Sequence, residues 1–342
     1  MDIYSKNLNT FVMVINMSLE IEIKCANITE VSVALVVLKY AQDFYGADKL
    51  IANLLSKKGK RIKDIAPSVG EHLILQTFGK IRAKSVIFIG VPILYKFRYG
   101  RIREFSREAM RIIGSELPGI SSVAMTIHGI GAGLDEEECF LSQLGGILDA
   151  YREGLITPNL KKIMIVEINE KRAKRLEELL NENVLKDIFT KDNTIVPDSN
   201  IDQKIQKIDE AGNQSEAKPH IFVAMPFSKK FNDVYEFGIK MPVKTAGFIC
   251  ERIDETYFSG SILKRIKSRI DTSKVVIADL SGANPNVYLE VGYAWGKGHL
   301  TILLVDDPGC LEFDVKDQRC IVYDSIVELK EKLEREIQEI LV

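Results

Sequence analysis

Apolar and polar positions along the chain fall into two alternating series separated by a polar stretch. Towards the C-terminus, apolar runs at 220–225, 248–252, 274–280, 300–305 and 320–323 read as strands. Segments of helical period at 232–245, 261–273, 285–296 and 325–341 lie between and after them. The run Val275, Val276, Ile277, Ala278 is apolar on both faces, as a central parallel strand covered by helices on each side requires. Strands interleaved with helices in this way predict a flavodoxin-like, doubly wound parallel sheet. Ligands of such sheets sit beyond the carboxyl ends of the strands. That rule selects the loops at Met225-Pro226-Phe227, Asp254-Glu255, Asp279-Leu280-Ser281 and Asp306-Asp307.

The N-terminal part alternates less regularly. Strand-like runs are 10–14, 31–38, 85–91, 123–128 and 162–168, with helical segments at 48–55, 102–114, 136–152 and 170–182, which makes a second α/β domain. No internal repeat relates the two halves. Between them, 186–218 is rich in Asp, Asn, Lys and Gln with little sustained apolar period, and reads as a linker with a short helical turn. The expected organisation is therefore an α/β domain over 1–185, a linker over 186–218 and a doubly wound domain over 219–342.

Composition narrows the function classes. A length of 342 residues suits two domains, and 46% hydrophobic with 27% charged residues is an ordinary soluble balance. The net charge of −2 offers no global attraction to nucleic acid or to an anionic membrane. The five cysteines are scattered without a CxxC pair and the four histidines are equally dispersed, so no metal site and no cofactor is expected. A reduced, cytoplasmic protein follows. The first apolar run, 11–17, lacks a basic flank and a small-residue cleavage site and reads as a strand rather than a signal peptide. No apolar stretch approaches the roughly 20 residues that span a bilayer.

The densest candidate chemistry lies in 278–294. Asp279 ends a central strand, Ser281-Gly282 turn the chain, and Asn284-Pro285 open a helix as N-cap and first helical residue. On that helix Val287, Val291 and Ala294 form the stripe facing the sheet, and Glu290 borders it. A carboxylate there is costly unless it is paired or used. Asn286 and Tyr293 share its face and can orient it. The plain alternative is a solvated surface glutamate.

Together with the opening strand 221–227, the segment Asn284-Pro285-Asn286-Val287-Tyr288-Leu289-Glu290-Val291-Gly292-Tyr293-Ala294 resembles the nucleoside 2-deoxyribosyltransferase superfamily, which includes nucleotide N-hydrolases and is akin to TIR-like NADase domains. The likeness covers about 219–342. It implies that Glu290 attacks the anomeric carbon as nucleophile, or stabilises the cation formed there, while the base departs. It implies a sugar-contacting or proton-donating role for Asp279. Members of the transferase branch often carry an acid six residues before the nucleophile, where this chain has Asn284, which favours hydrolysis over transfer. Substrate contacts are then expected from Met225, Pro226 and Phe227 as an apolar wall, from Ser259 and Ser261 before the helix near Ile262, and from Ser281, Asn284, Asn286 and Tyr293. Turn packing and helix capping are equal alternatives for the first two groups.

In the N-terminal domain, a strand ending near His128 enters a loop with Gly129, Gly131 and Gly133 and then an acidic helix start at Glu136. Such glycines let backbone amides approach a phosphate beside a helix N-terminus, although a tight strand–helix turn explains them equally. This loop, with 41–48 and 87–92, is similar to the macro-like N-terminal domain of leucine aminopeptidases. The likeness covers about 10–183 and implies a site for ADP-ribose or a related nucleotide that involves Gly46, Asp48, Gly129, Gly131 and Gly133. Lys60, Arg61, Lys63, Lys96, Arg98, Arg101 and Arg103 add positive charge that either meets phosphates or is solvated surface.

The two resemblances together imply an N-glycosidase that consumes NAD or a nucleotide under control of a nucleotide-derived ligand, as in bacterial antiphage effectors, and a homo-oligomer. Nucleotide salvage, or a pair of non-enzymatic ligand-binding modules, are the alternative readings.

Overall fold

The computed structural model describes residues 19–56, 65–182, 199–253 and 262–341. The expected strand at 10–14, residues Lys60, Arg61 and Lys63, and the loop residues Asp254, Glu255, Ser259 and Ser261 lie outside them. Two sheets organise the chain. The first has six strands: β1 (Glu20–Cys25), β2 (Leu35–Tyr40), β3 (His72–Gln76), β4 (Ser85–Gly90), β5 (Ser122–Thr126) and β6 (Lys162–Glu167), in the order β1-β6-β5-β2-β4-β3. Every pairing is parallel except β3 with β4. Its helices are α1 (Gly46–Leu55), α2 (Tyr99–Glu116), α3 (Glu136–Arg152), α4 (Glu170–Glu182) and α5 (Ser199–Glu210).

The second sheet is wholly parallel, with β7 (His220–Ala224), β8 (Ile249–Glu251), β9 (Val275–Asp279), β10 (Thr301–Val305) and β11 (Cys320–Val322) in the order β11-β10-β9-β7-β8. That order is the flavodoxin-like one expected from the alternation. Its helices are α6 (Met241–Thr245), entered through a π-helical segment Val234–Lys240, then α7 (Ile262–Thr272), α8 (Pro285–Gly296) and α9 (Ile326–Leu341). The segment 232–245, expected as one helix, is thus wound more loosely over half its length.

Both sheets are covered on both faces, and successive residues of the central strands serve opposite cores. Leu35 and Val37 of β2 face α2 and α3, whereas Val36 and Leu38 face the core on the α1 side. In β9, Val275 and Ile277 pack towards the π segment and α9, and Val276 and Ala278 towards α7 and α8. This is why those strands read as unbroken apolar runs.

Four further elements depart from the sequence-based expectations. Strand β1 and the antiparallel β3 were not expected, and the strand expected at 31–38 starts four residues later. The linker expected over 186–218 contains α5, twelve residues long, with Ile208 and Ala211 buried in the core under α2 and α3. Arg103 Nη1 donates to the carbonyls of Ile208 and Ala211, each at 2.6 Å, and so satisfies the end of α5.

The two domains meet over a polar junction. Glu251, at the end of β8 and fully buried, accepts a hydrogen bond of 2.7 Å from the Tyr99 hydroxyl, which itself accepts from the backbone amide of Asp135 at 3.0 Å. Arg269 of α7 pairs with the same carboxylate. Lys244 of α6 pairs with Glu137 and reaches Asp135 at 3.4 Å.

Candidate functional site

The C-terminal ends of β1, β2, β5 and β6 open onto a cavity of about 350 Å³. One wall is the start of α1, where Tyr45, Gly46, Ala47 and Asp48 line the space. Gly46 adopts φ +49°, which only glycine takes without strain, and the Tyr45 side chain does not cap the helix. The first amide groups of α1 are therefore not occupied by a side chain of the N-cap. The facing wall is the β5–α3 loop, Thr126 to Gly131. At Gly129, with φ +93°, an added Cβ would lie 2.6 Å from Cys139 Sγ and 2.7 Å from Ile102 Cδ1, so the close packing of this loop on α2 and α3 demands glycine. A Cβ at Gly131 would meet no atom within 4 Å and would project into open space.

The charges in this cavity are organised in pairs. Lys39 Nζ lies 2.6 Å from Asp48 Oδ2, and Asp48 is only 2% exposed. Its other oxygen, Oδ1, is buried with no hydrogen-bond partner. Burial raises the Asp48 pKa and the Lys39 ammonium opposes that shift. Arg172 Nη1 pairs with Glu167 at 3.2 Å. His128, also on the lining, packs edge-on against Phe105 at 4.6 Å, and both ring nitrogens are buried without partners. Burial, reinforced by Lys39, holds its pKa well below the ordinary histidine value, so the ring is neutral.

Of the residues expected at the N-terminal site, Gly46, Asp48, Gly129 and Gly131 come together here. Gly133 does not. It takes a left-handed conformation at φ +82° and packs against the other domain, where a Cβ would lie 2.4 Å from Ile253 Cγ1. Its glycine serves the junction, not the cavity. Lys39, Arg172, Glu167 and Asn27 also line the cavity and were not expected. The visible signal was Lys39, a charged residue closing the apolar run of β2 at the sheet's carboxyl edge.

In the C-terminal domain Glu290 lies in α8, 8% exposed, beside the buried stripe of Val287, Val291 and Ala294. It lines a cleft of about 320 Å³ between α7 and α8, with Ile266, Lys267, Tyr288 and Tyr293. The Tyr293 hydroxyl donates to Asp271 Oδ1 at 2.9 Å. Asn284 is the N-cap of α8, its Oδ1 accepting from the amide of Asn286 at 2.9 Å, and Asn286 is exposed.

The remaining expected residues form two separate groups, neither of which lines that cleft. Asp279 is fully buried; it accepts from the Ser281 amide and the Tyr323 hydroxyl, each at 3.0 Å. Burial raises its pKa against those hydrogen bonds. Ser281 Oγ accepts from the Asp306 amide at 2.8 Å. Asp279, Ser281 and Tyr323 thus cross-link the ends of β9, β10 and β11. Met225 and Pro226 are buried and Phe227 half-buried. Arg252 lies on their edge, its guanidinium 3.9 Å from the Tyr235 ring centre, 5.4 Å from that of Phe227, and with Nη1 3.5 Å from Met225 Sδ.

Among the described residues no group of three or more His, Cys, Asp or Glu side chains can hold a metal ion, and no helix is long and apolar enough to cross a membrane.

No protein-family model matches the chain, and no curated protein does. Solved structures do show likeness over about half of it. The Oceanobacillus iheyensis macrodomain with ADP aligns at a TM-score of 0.40 and 17% identity, covering 48% of this chain and 91% of that one. The same macrodomain with MES bound gives 0.38 and 16%, covering 49% and 93%. The Trypanosoma brucei macrodomain in complex with ADP-ribose gives 0.38 and 15%, covering 47% and 68%. At TM-scores below 0.5 these likenesses decide neither ligand nor activity.

Proposed function

We propose that the N-terminal domain binds a nucleotide-derived ligand in the cavity between α1 and the 126–131 loop. The observation that carries this reading is the convergence of a helix start and a glycine loop on one space at the carboxyl edge of a parallel sheet. Amide groups at a helix N-terminus and in a glycine loop suit phosphate oxygens. The apolar side chains of Leu50, Leu94, Ile127 and Ile130, with the Tyr45 ring, suit a base and a ribose face. The unpartnered Asp48 Oδ1 is an acceptor for a ligand hydroxyl or amino group, because a buried oxygen without a donor is otherwise costly. The volume of about 350 Å³ falls in the range of small-molecule sites.

ADP-ribose is the natural first probe, since the macro-like resemblance implies it. Calorimetric titration of the full chain is expected to show saturable binding that Gly131→Val removes. The Cβ of that valine would meet no atom within 4 Å, so the fold is expected to hold, which circular dichroism of the variant checks. Undiminished binding in that variant would rule out this cavity as the site.

A second reading concerns the C-terminal domain: Glu290 cleaves an N-glycosidic bond of NAD or a nucleotide. It is favoured by a carboxylate withdrawn from solvent yet lining a cleft. A Glu290 oxygen bonds to the anomeric carbon as the bond to the base breaks. The base keeps that electron pair, the pyridinium of NAD leaving as neutral nicotinamide and the base of a nucleotide taking up a proton. Water then hydrolyses the sugar ester and frees the Glu290 carboxylate. Asn284 is committed to capping α8, which fits hydrolysis better than transfer to a second base. Chromatography after incubation with NAD or deoxynucleoside monophosphates is expected to reveal free nicotinamide or free base, lost in Glu290→Gln. The substrate consumed separates NAD depletion, the effector reading, from nucleotide salvage. Release that persists in Glu290→Gln would remove Glu290 from the chemistry.

A further inference from the structure

Two charged side chains line the cleft between α7 and α8, and they are of opposite sign: Lys267 and Glu290. Helix α7 turns Leu263, Ile266 and Lys267 into the cleft, three and four residues apart on one face. Helix α8 brings Glu290 between Tyr288 and Tyr293. The lining also includes Gly292, where an added Cβ would meet no atom within 4 Å, so the space beside it is open.

Lys267 is half-buried and, among the described residues, forms no ion pair with Glu290 or with any other carboxylate. Its ammonium instead stands 5.0 Å from the centre of the Tyr293 ring, a cation–π distance. Asp271, one turn further along α7, accepts from the Tyr293 hydroxyl at 2.9 Å and does not pair with Lys267. Lys297 Nζ lies 5.7 Å from the same ring and adds a second cation beside it. The cleft thus carries a negative group at Glu290 and a positive one at Tyr293, and the two do not neutralise each other. Charges against apolar and aromatic walls are costly unless a partner meets them.

We infer that the Glu290 cleft selects N-glycosides that carry a phosphate on the sugar, and that Lys267 is the residue that recognises that phosphate. This rests on the N-glycosidase reading of Glu290. A substrate of this class meets both charges at once. Its anomeric carbon becomes cationic as the base departs and falls to Glu290, while its phosphate falls to Lys267. A free nucleoside offers only the first. An ammonium on a flexible stem suits a phosphate, which it meets as a point charge without a fixed fork geometry. Lys267 therefore separates phosphorylated from unphosphorylated substrates, not one base from another.

The test is base release by the full chain from NAD and nicotinamide mononucleotide against nicotinamide riboside, and from deoxynucleoside monophosphates against the corresponding deoxynucleosides. In the unaltered protein kcat/KM is expected to favour the phosphorylated compounds. In Lys267→Gln their KM is expected to rise roughly ten-fold, the scale of a charge-assisted hydrogen bond, with kcat and the unphosphorylated compounds little changed. Lys267→Arg, which keeps the charge, is expected to recover most of the loss. Added salt is expected to raise the KM of the phosphorylated compounds in the unaltered protein and less so in Lys267→Gln. If Lys267→Gln leaves every KM as it was, or raises those of both classes equally, the inference is overturned and the Glu290 reading stands. No preference for the phosphorylated compounds in the unaltered protein overturns it as well. Base release undiminished in Glu290→Gln, or absent with all of these compounds, sinks the Glu290 reading itself and this inference with it.

Discussion

Replacing Glu251 by Gln probes the domain junction at its most constrained point. The carboxylate is fully buried and serves Tyr99 of the N-terminal domain and Arg269 of α7 at once, with Arg98 at 3.7 Å and His220 at 3.8 Å. Glutamine keeps the shape but offers a single oxygen, so either Tyr99 or Arg269 loses its acceptor and the amide NH₂ faces another donor. The larger effect is electrostatic: Arg269, only 6% exposed, keeps a full charge without its carboxylate. Breaking one side of a buried ion pair typically destabilises by about 3–5 kcal/mol. With a urea dependence near 2 kcal/mol per molar, that moves the unfolding midpoint down by about 2 M. The assay is urea unfolding followed by circular dichroism and by fluorescence. Adding Arg269→Met to Glu251→Gln removes the stranded charge, and the double variant is expected to be more stable than Glu251→Gln alone. A loss below about 1 kcal/mol, the size of an ordinary neutral hydrogen bond, with no recovery in the double variant, would refute the reasoning.

The same junction predicts a pH effect. Burial, aided by Arg269, lowers the His220 pKa to about 3, whereas the unfolded chain titrates near 6.5. Between those values the unfolded state binds one more proton, so stability is full above pH 6.5 and falls as pH drops towards 3; His220→Gln should flatten the slope, and an unchanged slope in pH-dependent urea midpoints would contradict this. His128 titrates in the same direction and adds to the fall, so the slope is reduced in His220→Gln but not abolished. At Gly133, alanine meets both a positive φ and an Ile253 contact of 2.4 Å, and a loss of at least about 2 kcal/mol is expected. Gly131→Ala, with open space around its new Cβ, should stay within about 0.5 kcal/mol of the unaltered protein; thermal unfolding of both variants checks the contrast, and equal losses would contradict it.

What the sequence made legible was what local periodicity controls. Helices Glu136–Arg152, Glu170–Glu182 and Pro285–Gly296 fall where caps and apolar spacing put them, and β9 is the central strand its two-faced apolar run demands. Strand β1 was missed because, as an edge strand, it alternates Glu20, Glu22 and Lys24 with apolar residues and pairs only with β6. Helix α5 was missed because three isoleucines, Ile201, Ile205 and Ile208, are spaced four and three apart inside a polar stretch, and a short stripe of that kind was read as linker. The glycine loop shows the remaining difficulty. Gly129, Gly131 and Gly133 look alike in sequence, yet one packs against helices, one faces the cavity and one meets the other domain. Asp279 ends its strand at the expected edge, but Tyr323, distant in sequence, turns it inward. Long-range partners of this kind leave no local pattern, and Lys39, Glu251 and Lys267 acquire their surroundings only when the chain is folded.

A crystal structure of the full chain grown with ADP-ribose tests the central claim most directly. Ligand density is expected between the start of α1 and residues 126–131, with phosphate oxygens on backbone amides and Asp48 Oδ1 within hydrogen-bond distance of a ligand hydroxyl or amino group. Density at any other place, with this cavity filled only by solvent, would contradict the account.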